Sequence, residues 1–320
     1  MAVRALLVSA PMKAWAFGLC AVLLVGCQNR GAAPSGKTAL QVQLASAPAS
    51  LDPVQLQAGA AFRVLGAVMD GLVGLDLSGK VEPRLAKTYE VSADGKRYTF
   101  TLRPEALWSD GRPVLPKDFL LGFQRVLDPA TQSPWAQFLF PIRGARAFHE
   151  KKGGFEQVGV RGEGENQLVI ELEKPVPAFL SVLTLPIAYP SRPEWETTPS
   201  WNDKTPVTGP YQVAFQKVKE SILLSPNEHY WGRRVLGKMI ARPVMLRIVP
   251  DPAEAQTLFS SGLLDVLVQE SKALETKKAG SGTDPLVPFR VQSALTVSAR
   301  VVKAPVDSLG LIRFEDIEIK

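Results

Sequence analysis

The chain has 320 residues, with 37 Lys and Arg against 31 Asp and Glu, a hydrophobic share of 46% and a charged share of 21%. These proportions exclude disordered, collagen-like and coiled-coil chains, and the length is typical of two domains or one large one. Only two His and two Cys are present, so we predict neither a metal site nor a cofactor. The basic residues are scattered along the sequence, and nucleic-acid binding is therefore not expected.

The N-terminus is typical of a secretory signal peptide, predicted to cover residues 1–26. An apolar run over residues 14–25 is too short to span a bilayer. It leads into Leu24-Val25-Gly26-Cys27, which resembles the lipobox of bacterial lipoproteins. This resemblance implies cleavage before Cys27 and lipidation of its thiol, which would keep the protein attached to a membrane. The alternative is an uncleaved anchor or a buried helix.

Residues 27–38 are predicted to form a flexible tether, because Gly, Ala, Ser and Pro dominate them. Within the tether, residues 31–38 match the phosphate-binding pattern G-x-x-x-x-G-K-[ST]. That chemistry requires a buried strand before the glycines and a helix after them. Here a lipidation signal precedes the pattern and a strand-like segment follows it. We therefore interpret the match as part of the tether and not as a nucleotide site.

Hydrophobic periodicity and turn residues predict a mixture of strands and helices along the rest of the chain. In chain order we first predict a strand at 39–45, a helix between Phe62 and Leu72, and strands at 88–91 and 98–102 joined by a turn at 92–96. A helix opened by Pro116 and stopped by Asp128-Pro129 follows, and then a second helix from Trp135 to His149. A strand at 167–172 and a short helix at 178–183 come next. After an irregular crossing at 186–206, we predict strands at 211–215, 222–224, 245–248 and 312–319 and a helix at 253–261. The mixture lacks a strict alternation of strand and helix, which indicates an α/β or α+β protein in two lobes.

Short motifs between Ser50 and Asp265 resemble one family in their order and spacing. They include Gly71-Leu72-Val73, Gly79 to Ala86, Tyr98 to Arg103, Trp108 to Val114, Arg125 to Pro129, Ser133-Pro134-Trp135, Glu173 to Pro177, Gly209-Pro210-Tyr211, Asn227 to Trp231 and Ser261 to Asp265. The chain resembles the family 5 solute-binding proteins, the peptide-binding lipoproteins and periplasmic proteins of ABC importers. The resemblance implies an α/β fold, namely a lobe of the type II periplasmic-binding-protein kind with an inserted α+β subdomain.

The sequence departs from the family after Asp265, where members continue into a second lobe that closes over the ligand. A polar connector, residues 270–284, stands in that place, and segments between Val287 and Ile317 resemble the C-terminal end of the family. We therefore expect the closing lobe to be missing through an internal deletion. The expected domains are lobe I, formed by 39–69, 193–269 and 285–320, and the inserted subdomain, formed by 70–192.

The resemblance also implies ligand-binding residues on the retained half. Gln57, Ala58 and Gly59 form an edge segment that is expected to pair with an extended peptide backbone. Trp135 matches a ligand-facing aromatic position, and Leu185 matches a position that is His in some relatives. Each has a plainer alternative, since Trp135 and Leu185 also suit core packing and Gln57 suits a solvated surface. A half-open site is expected to bury less of a ligand and to bind it more weakly.

Catalysis has little support in the sequence, and we expect no enzyme. The nucleophile pattern G-x-S-x-G is absent. Neither His149 nor His229 has an evident Ser or Cys partner. Four carboxylates are interpreted as solvated or helix-capping: Glu163, Glu165, Asp251 and Glu254.

The sequence thus predicts a lipid-anchored, extracytoplasmic substrate-binding protein of an ABC-type peptide importer. The expected partners are a peptide ligand, an ABC permease in the cytoplasmic membrane, and the membrane itself through the anchor on Cys27. A monomer is expected, without nucleic acid. Two alternatives stay open: a non-transport lipoprotein whose exposed face meets another protein, and a nonfunctional remnant.

Overall fold

The computed structural model describes residues 39–56, 59–76, 78–196, 201–237, 242–270 and 295–299. Among them, the strands are β1 (Leu40–Leu44), β2 (Val73–Leu75), β3 (Val81–Pro83), β4 (Ala86–Val91), β5 (Arg97–Leu102), β6 (Val160–Glu163), β7 (Gln167–Glu171), β8 (Tyr211–Lys217), β9 (Ser221–Pro226), β10 (Val244–Ile248), β11 (Val266–Glu270) and β12 (Leu295–Ala299). The α-helices are α1 (Ala60–Val68), α2 (Pro116–Leu127), α3 (Ala145–His149), α4 (Phe179–Val182), α5 (Trp231–Val235) and α6 (Pro252–Ser260). Short 3-10 helices lie at Pro53–Gln55, Pro129–Thr131, Ala136–Leu139, Phe155–Gln157, Pro186–Ala188 and Pro193–Glu196.

One sheet is mixed and has the strand order β12-β11-β1-β10-β9-β8. β1 is central and parallel to both β10 and β11, while the outer pairs are antiparallel. The alternation that predicted β1 places Leu40, Val42 and Leu44 in the core. Gln43 is buried as well, because a central strand is covered on both faces. Its side-chain amide donates to the Val249 carbonyl at 3.0 Å, so the buried polar group is satisfied.

The second large sheet is antiparallel, with the order β4-β5-β7-β6, and β2 and β3 form a separate ribbon. The predicted turn at 92–96 joins β4 to β5, so the predicted hairpin is confirmed. Tyr98, Phe100 and Leu102 alternate along β5 and point into the core. Their spacing of two residues is the pattern of a strand with one covered face.

Helix α2 begins and ends where its sequence predicts. Pro116 occupies the first turn, and the Asp118 carboxylate accepts the Leu115 N–H at 2.9 Å, which satisfies a donor at the helix start. The helix ends at Asp128, before a proline that cannot continue it. Its apolar face is buried and consists of Phe119, Phe123, Val126 and Leu127.

The described parts of the predicted irregular crossing, residues 186–196 and 201–206, contain only short 3-10 helices and contribute aromatic residues to the core. Trp195 and Trp201 are both buried, with ring centroids 4.9 Å apart. The Trp195 ring also meets Trp108 edge-on at 5.8 Å. The Arg192 guanidinium lies over the Trp108 ring, 5.3 Å from its centroid. This segment is therefore held by ring packing where regular secondary structure is absent.

A carboxylate in the same segment is paired with two arginines. Glu194 accepts hydrogen bonds from Arg192 Nη2 at 2.8 Å and from Arg112 Nη2 at 3.0 Å. The hydrogen bond from Arg192 is the main cause that lowers the pKa of Glu194 to about 2. A lowered pKa in the folded state stabilises the protein above the ordinary pKa of Glu, and this stabilisation is lost as the pH falls toward 2.

The substitution Glu194→Gln is expected to lower the free energy of unfolding by about 0.5–1 kcal/mol at neutral pH, the range for exposed ion pairs. Urea unfolding should show this difference shrinking by about half or more at pH 3, because the unfolded carboxylate is then mostly protonated. Glu165→Gln, at an exposed turn position, is the matched control. A Glu194→Gln difference that stays constant between neutral pH and pH 3 would contradict this account.

The predicted helix from Trp135 to His149 is wrong as one continuous element. The chain forms a 3-10 helix at Ala136–Leu139 and then α3. Between them, Pro141 has no N–H to donate, and Gly144 adopts a φ of +71°. The other predicted strands and helices that fall within the described residues are present, with ends that differ by a few residues.

Several predictions lie outside the described residues: the signal peptide, the tether with Cys27, the residues Gln57 and Ala58, most of the connector, and the strand at 312–319. Glu270, predicted to begin the connector, is the last residue of β11. In the described ranges, no helix combines the length and the apolar character that a bilayer crossing requires.

Candidate functional site

The segment that precedes the predicted peptide-pairing residues is a tight turn. The Asp52 carboxylate accepts the Val54 N–H at 3.1 Å, and the Asp52 N–H donates to Ser50 Oγ at 3.0 Å. The 3-10 helix Pro53–Gln55 follows, with proline at its first position. Leu56 then carries a side chain that is 1% exposed. Local hydrogen bonds and burial therefore fix the backbone up to Leu56.

An ion pair attaches this turn to the last part of α2. Arg125 Nη2 lies 2.7 Å from Asp52 Oδ2, and Nη1 lies 3.3 Å from Oδ1, so the guanidinium contacts both carboxylate oxygens. The Arg125 side chain is 11% exposed. Arg125 also donates to Ser191 Oγ at 2.9 Å, so the same guanidinium contacts the irregular crossing. One buried guanidinium thus joins three separate parts of the chain.

Two further hydrogen bonds connect the turn to the residues that follow α2. Gln55 Nε2 donates to the Thr131 carbonyl at 2.6 Å. The indole Nε1 of Trp135 donates to the Leu56 carbonyl at 2.7 Å. The structure therefore brings Trp135, which is predicted to face the ligand, next to Leu56, the residue that precedes the segment 57–59.

Gly59 is the only residue of that segment within the described ranges. It is exposed and adopts φ +86° and ψ −121°, a conformation that side-chain-bearing residues rarely take. Its carbonyl accepts the Arg63 N–H at 3.2 Å as α1 begins.

Trp135 and Leu185 differ in their exposure. Trp135 is half-buried and packs 5.8 Å from the Phe138 ring, so part of its indole faces solvent. Both interpretations of Trp135 therefore stay open. The Leu185 side chain has no exposed surface, which favours packing over ligand contact at this position. The ligand-binding role of Leu185 therefore stays a prediction, with core packing as its plainer alternative.

One small cleft lies beside the turn that precedes the segment 57–59. Its volume is about 180 Å³ and its lining includes Val54, Arg125, Ile187 and Ser191. Ligand pockets for drug-sized molecules are typically several hundred Å³. This cleft is smaller than such pockets, and neither Trp135 nor Gly59 is among the residues that line it.

Three of the candidate catalytic groups take part in structural contacts, whereas the buried Nδ1 of His229 has no hydrogen-bond partner in the described part of the chain. His149 Nδ1 lies 2.9 Å from the Leu127 carbonyl, and the Asp251 carboxylate caps α6 by accepting the Ala253 N–H at 2.9 Å. Glu163 accepts hydrogen bonds from Arg161 in a surface ion-pair network. Within the described ranges, no group of three or more His, Cys, Asp or Glu side chains could hold a metal ion.

Sequence reasoning missed the pairing of Asp52 with Arg125. Arg125 lies in a motif that carried the family resemblance, whereas Asp52 lies 73 residues earlier in the chain and outside those motifs. A usable signal was the position of Arg125 directly before Val126 and Leu127, on a helix whose neighbouring positions are buried. A charged residue at such a place requires a partner, although the sequence does not say which one.

The chain matches known proteins over most of its described length. The family model of bacterial extracellular solute-binding proteins, family 5 Middle, matches residues 80–300. The oligopeptide-binding protein OppA of Bacillus subtilis is 32% identical over 203 residues, covering 62% of this chain and 37% of OppA. The dipeptide-binding protein DppE of the same organism is 30% identical over 270 residues, covering 79% of this chain and 49% of DppE.

A solved structure shows the same fold. Haemophilus influenzae OppA in complex with RPPGFSPFR has a TM-score of 0.67 and 26% identity to this chain, covering 72% of this chain and 46% of that one. The chain therefore spans about half the length of the relatives it matches, or less.

Proposed function

This chain belongs to the bacterial extracellular solute-binding proteins of family 5, and we propose that it is the substrate-binding lipoprotein of an ABC-type peptide importer. In this role it captures oligopeptides or dipeptides outside the cytoplasmic membrane. Relatives named for oligopeptide and dipeptide binding support this choice of ligand. As a member of a solute-binding family, the protein acts in this proposal by capture and not by catalysis.

The observation that carries the proposal is the hydrogen bond between Trp135 Nε1 and the Leu56 carbonyl. It joins Trp135 to Leu56, which lies 79 residues earlier and directly before the segment 57–59, and the family resemblance implies ligand binding for both Trp135 and that segment. An extended peptide that pairs with the segment 57–59 would lie beside the exposed part of the Trp135 ring. When a peptide pairs through its main chain, the hydrogen bonds supply affinity whatever the side chains of the peptide are. An adjacent aromatic surface adds apolar contact.

We propose the domain division as predicted, with lobe I at 39–69, 193–269 and 285–320 and the inserted subdomain at 70–192. The strand content supports it. The mixed sheet takes its strands from the first set of ranges, and the antiparallel sheet and the ribbon take theirs from 70–192. The coverage of less than half of the structural relative is consistent with a single lobe.

The location and partners are part of the same proposal. The lipobox-like sequence supports a lipid anchor on Cys27 and a place in the periplasm or at the cell surface. The partner would be an ABC permease in the cytoplasmic membrane, and the protein would act as a monomer without a cofactor. With one lobe, the site covers a peptide from one side, so we expect weaker binding than in two-lobed relatives.

The substitution Trp135→Ala is expected to weaken peptide binding by about tenfold, because aromatic residues at the edge of a site often supply more than 1 kcal/mol. The measurement is a titration of the mature protein, purified in mild detergent, with the peptide RPPGFSPFR, read by calorimetry. Native mass spectrometry of the same preparation would show whether peptides co-purify and are displaced.

The matched control for this titration is Phe215→Ala, since Phe215 is an aromatic residue on β8 that is 55% exposed. It should leave the affinity unchanged. A folded protein that takes up neither RPPGFSPFR nor any co-purifying peptide would overturn the proposed function. Equal affinity in Trp135→Ala and the unaltered protein would remove Trp135 from the site.

The alternative of a protein-interaction module receives no specific support from the described residues. Their exposed large apolar side chains are Val91, Phe215, Val218, Val235, Leu236 and Leu263. These come from four separate places in the chain, and scattered residues of this kind are ordinary on protein surfaces.

A further inference from the structure

We infer that Arg125 is a positioning residue for peptide binding: from α2 it holds the turn over residues 52–56, which leads into the proposed peptide-binding segment. The inference rests on the proposed function and adds to it the contact that shapes the site. Arg125 pairs with both carboxylate oxygens of Asp52, five residues before Gln57, and is itself 11% exposed. A largely buried guanidinium that is bonded through both Nη1 and Nη2 has a fixed geometry, and so does the carboxylate it contacts.

The Asp52 carboxylate passes this geometry to the backbone. Its Oδ1 accepts the Val54 N–H at 3.1 Å, while the Asp52 carbonyl accepts the Gln55 N–H at 3.0 Å. The Pro53 carbonyl accepts the Leu56 N–H, which closes the 3-10 helix immediately before residue 57. Asp52 therefore has two roles, since the same carboxylate caps the turn and pairs with Arg125.

The other contacts of the turn come from the same stretch of chain. Thr131 and Trp135, which bind Gln55 and Leu56, follow α2 within ten residues of Arg125. The position of α2 thus determines where the turn ends, at Leu56. Loss of the ion pair would leave the hydrogen bonds within the turn and the two neutral ones to Thr131 and Trp135, and each neutral bond is weaker than a bidentate charged pair.

The test is the variant Arg125→Lys, which keeps the positive charge and removes the two-pronged contact. Arg125→Met is a second variant without charge. Hydrogen exchange of the mature protein, followed by mass spectrometry, reports on the amides of Val54, Gln55 and Leu56. We expect these amides to exchange about tenfold faster in Arg125→Lys, with no change in the hairpin of β8 and β9. The affinity for RPPGFSPFR should fall by about fivefold, because the segment must be ordered upon binding.

The matched control is Arg103→Lys. Arg103 is also buried and donates to backbone carbonyls, those of Arg84 and Ala86, and it stacks 4.0 Å from the Trp231 centroid. This variant should lower the overall stability and leave both the exchange at residues 54–56 and the affinity unchanged. A merely structural role for Arg125 predicts the same pattern for both arginine variants.

The outcomes distinguish a failure of the role inferred for Arg125 from a failure of the proposed peptide binding. Unchanged exchange at residues 54–56 in Arg125→Lys overturns the inference, and so does faster exchange with unchanged peptide affinity. If the unaltered protein binds no peptide, the proposed function fails. The exchange data then still decide whether Arg125 orders the turn.

Discussion

The substitution Trp108→Ala is expected to lower the free energy of unfolding by about 4 kcal/mol, in the range for large aromatic residues in cores. Trp108 has no exposed surface, and its ring contacts Trp195 edge-on and carries the Arg192 guanidinium over its face. The truncation leaves a cavity that the surrounding backbone cannot fill, and it also removes the packing that holds the irregular crossing.

The indole N–H of Trp108 adds a second contribution. It donates to Asp118 Oδ2 at 3.1 Å, and the same oxygen accepts the Leu115 N–H at the start of α2. Trp108→Phe keeps a ring in the core and removes this donor, so it should cost about 2 kcal/mol. The difference between the two variants reports the packing that the remaining phenyl ring supplies.

Equilibrium unfolding in urea, followed by circular dichroism, measures both effects. The dependence of the free energy on urea should stay the same, because the folded area is unchanged. Phe215→Ala, at an exposed position on β8, should shift the free energy by less than about 0.5 kcal/mol. A Trp108→Ala variant as stable as this control would show that the aromatic cluster does not support the fold.

Elements with local signals were predictable from the sequence alone. The hairpin of β4 and β5 combines alternating residues with the turn at 92–96, and α2 combines an opening proline, a buried face and a stop at Asp128. In both cases the deciding interactions join residues close in the chain. The helix predicted from Trp135 to His149 was wrong because the apolar spacing was weighed above Pro141, which interrupts it.

The candidate site was predictable in its parts but not in its assembly. The family resemblance selected Gln57, Ala58, Gly59 and Trp135, and the structure brings Trp135 to the carbonyl just before this segment. The partner of a buried charge depends on how distant elements pack, so no local pattern could join Asp52 to Arg125. The exposure of a side chain could not be predicted either. Leu185 is fully buried, and a motif position indicates which element a residue occupies and not whether its side chain is exposed.

The substitution Gly122→Ala is expected to destabilise the protein by about 3 kcal/mol, although alanine favours helices over glycine. Gly122 lies in the middle of α2, where a Cβ would be 2.2 Å from the Tyr189 carbonyl oxygen and 3.6 Å from the Ser191 nitrogen. Both neighbours are backbone atoms, which cannot rotate away as a side chain can. The helix would therefore have to move from the crossing, against the hydrogen bond from the Ser191 N–H to the Asp118 carbonyl.

The matched control is Gly154→Ala, where a Cβ would meet only the carboxylate of Glu156, a side chain that can rotate. Its effect on the free energy of unfolding should stay within about 0.5 kcal/mol. A displaced α2 also carries Arg125 away from Ser191 and Asp52, so Gly122→Ala should accelerate hydrogen exchange at residues 54–56 while Gly154→Ala should not. If Gly122→Ala unfolds at the same urea concentration as the unaltered protein, the backbone contact between α2 and the crossing is not maintained in solution. The contacts by which Arg125 holds the turn 52–56 would then lose their support.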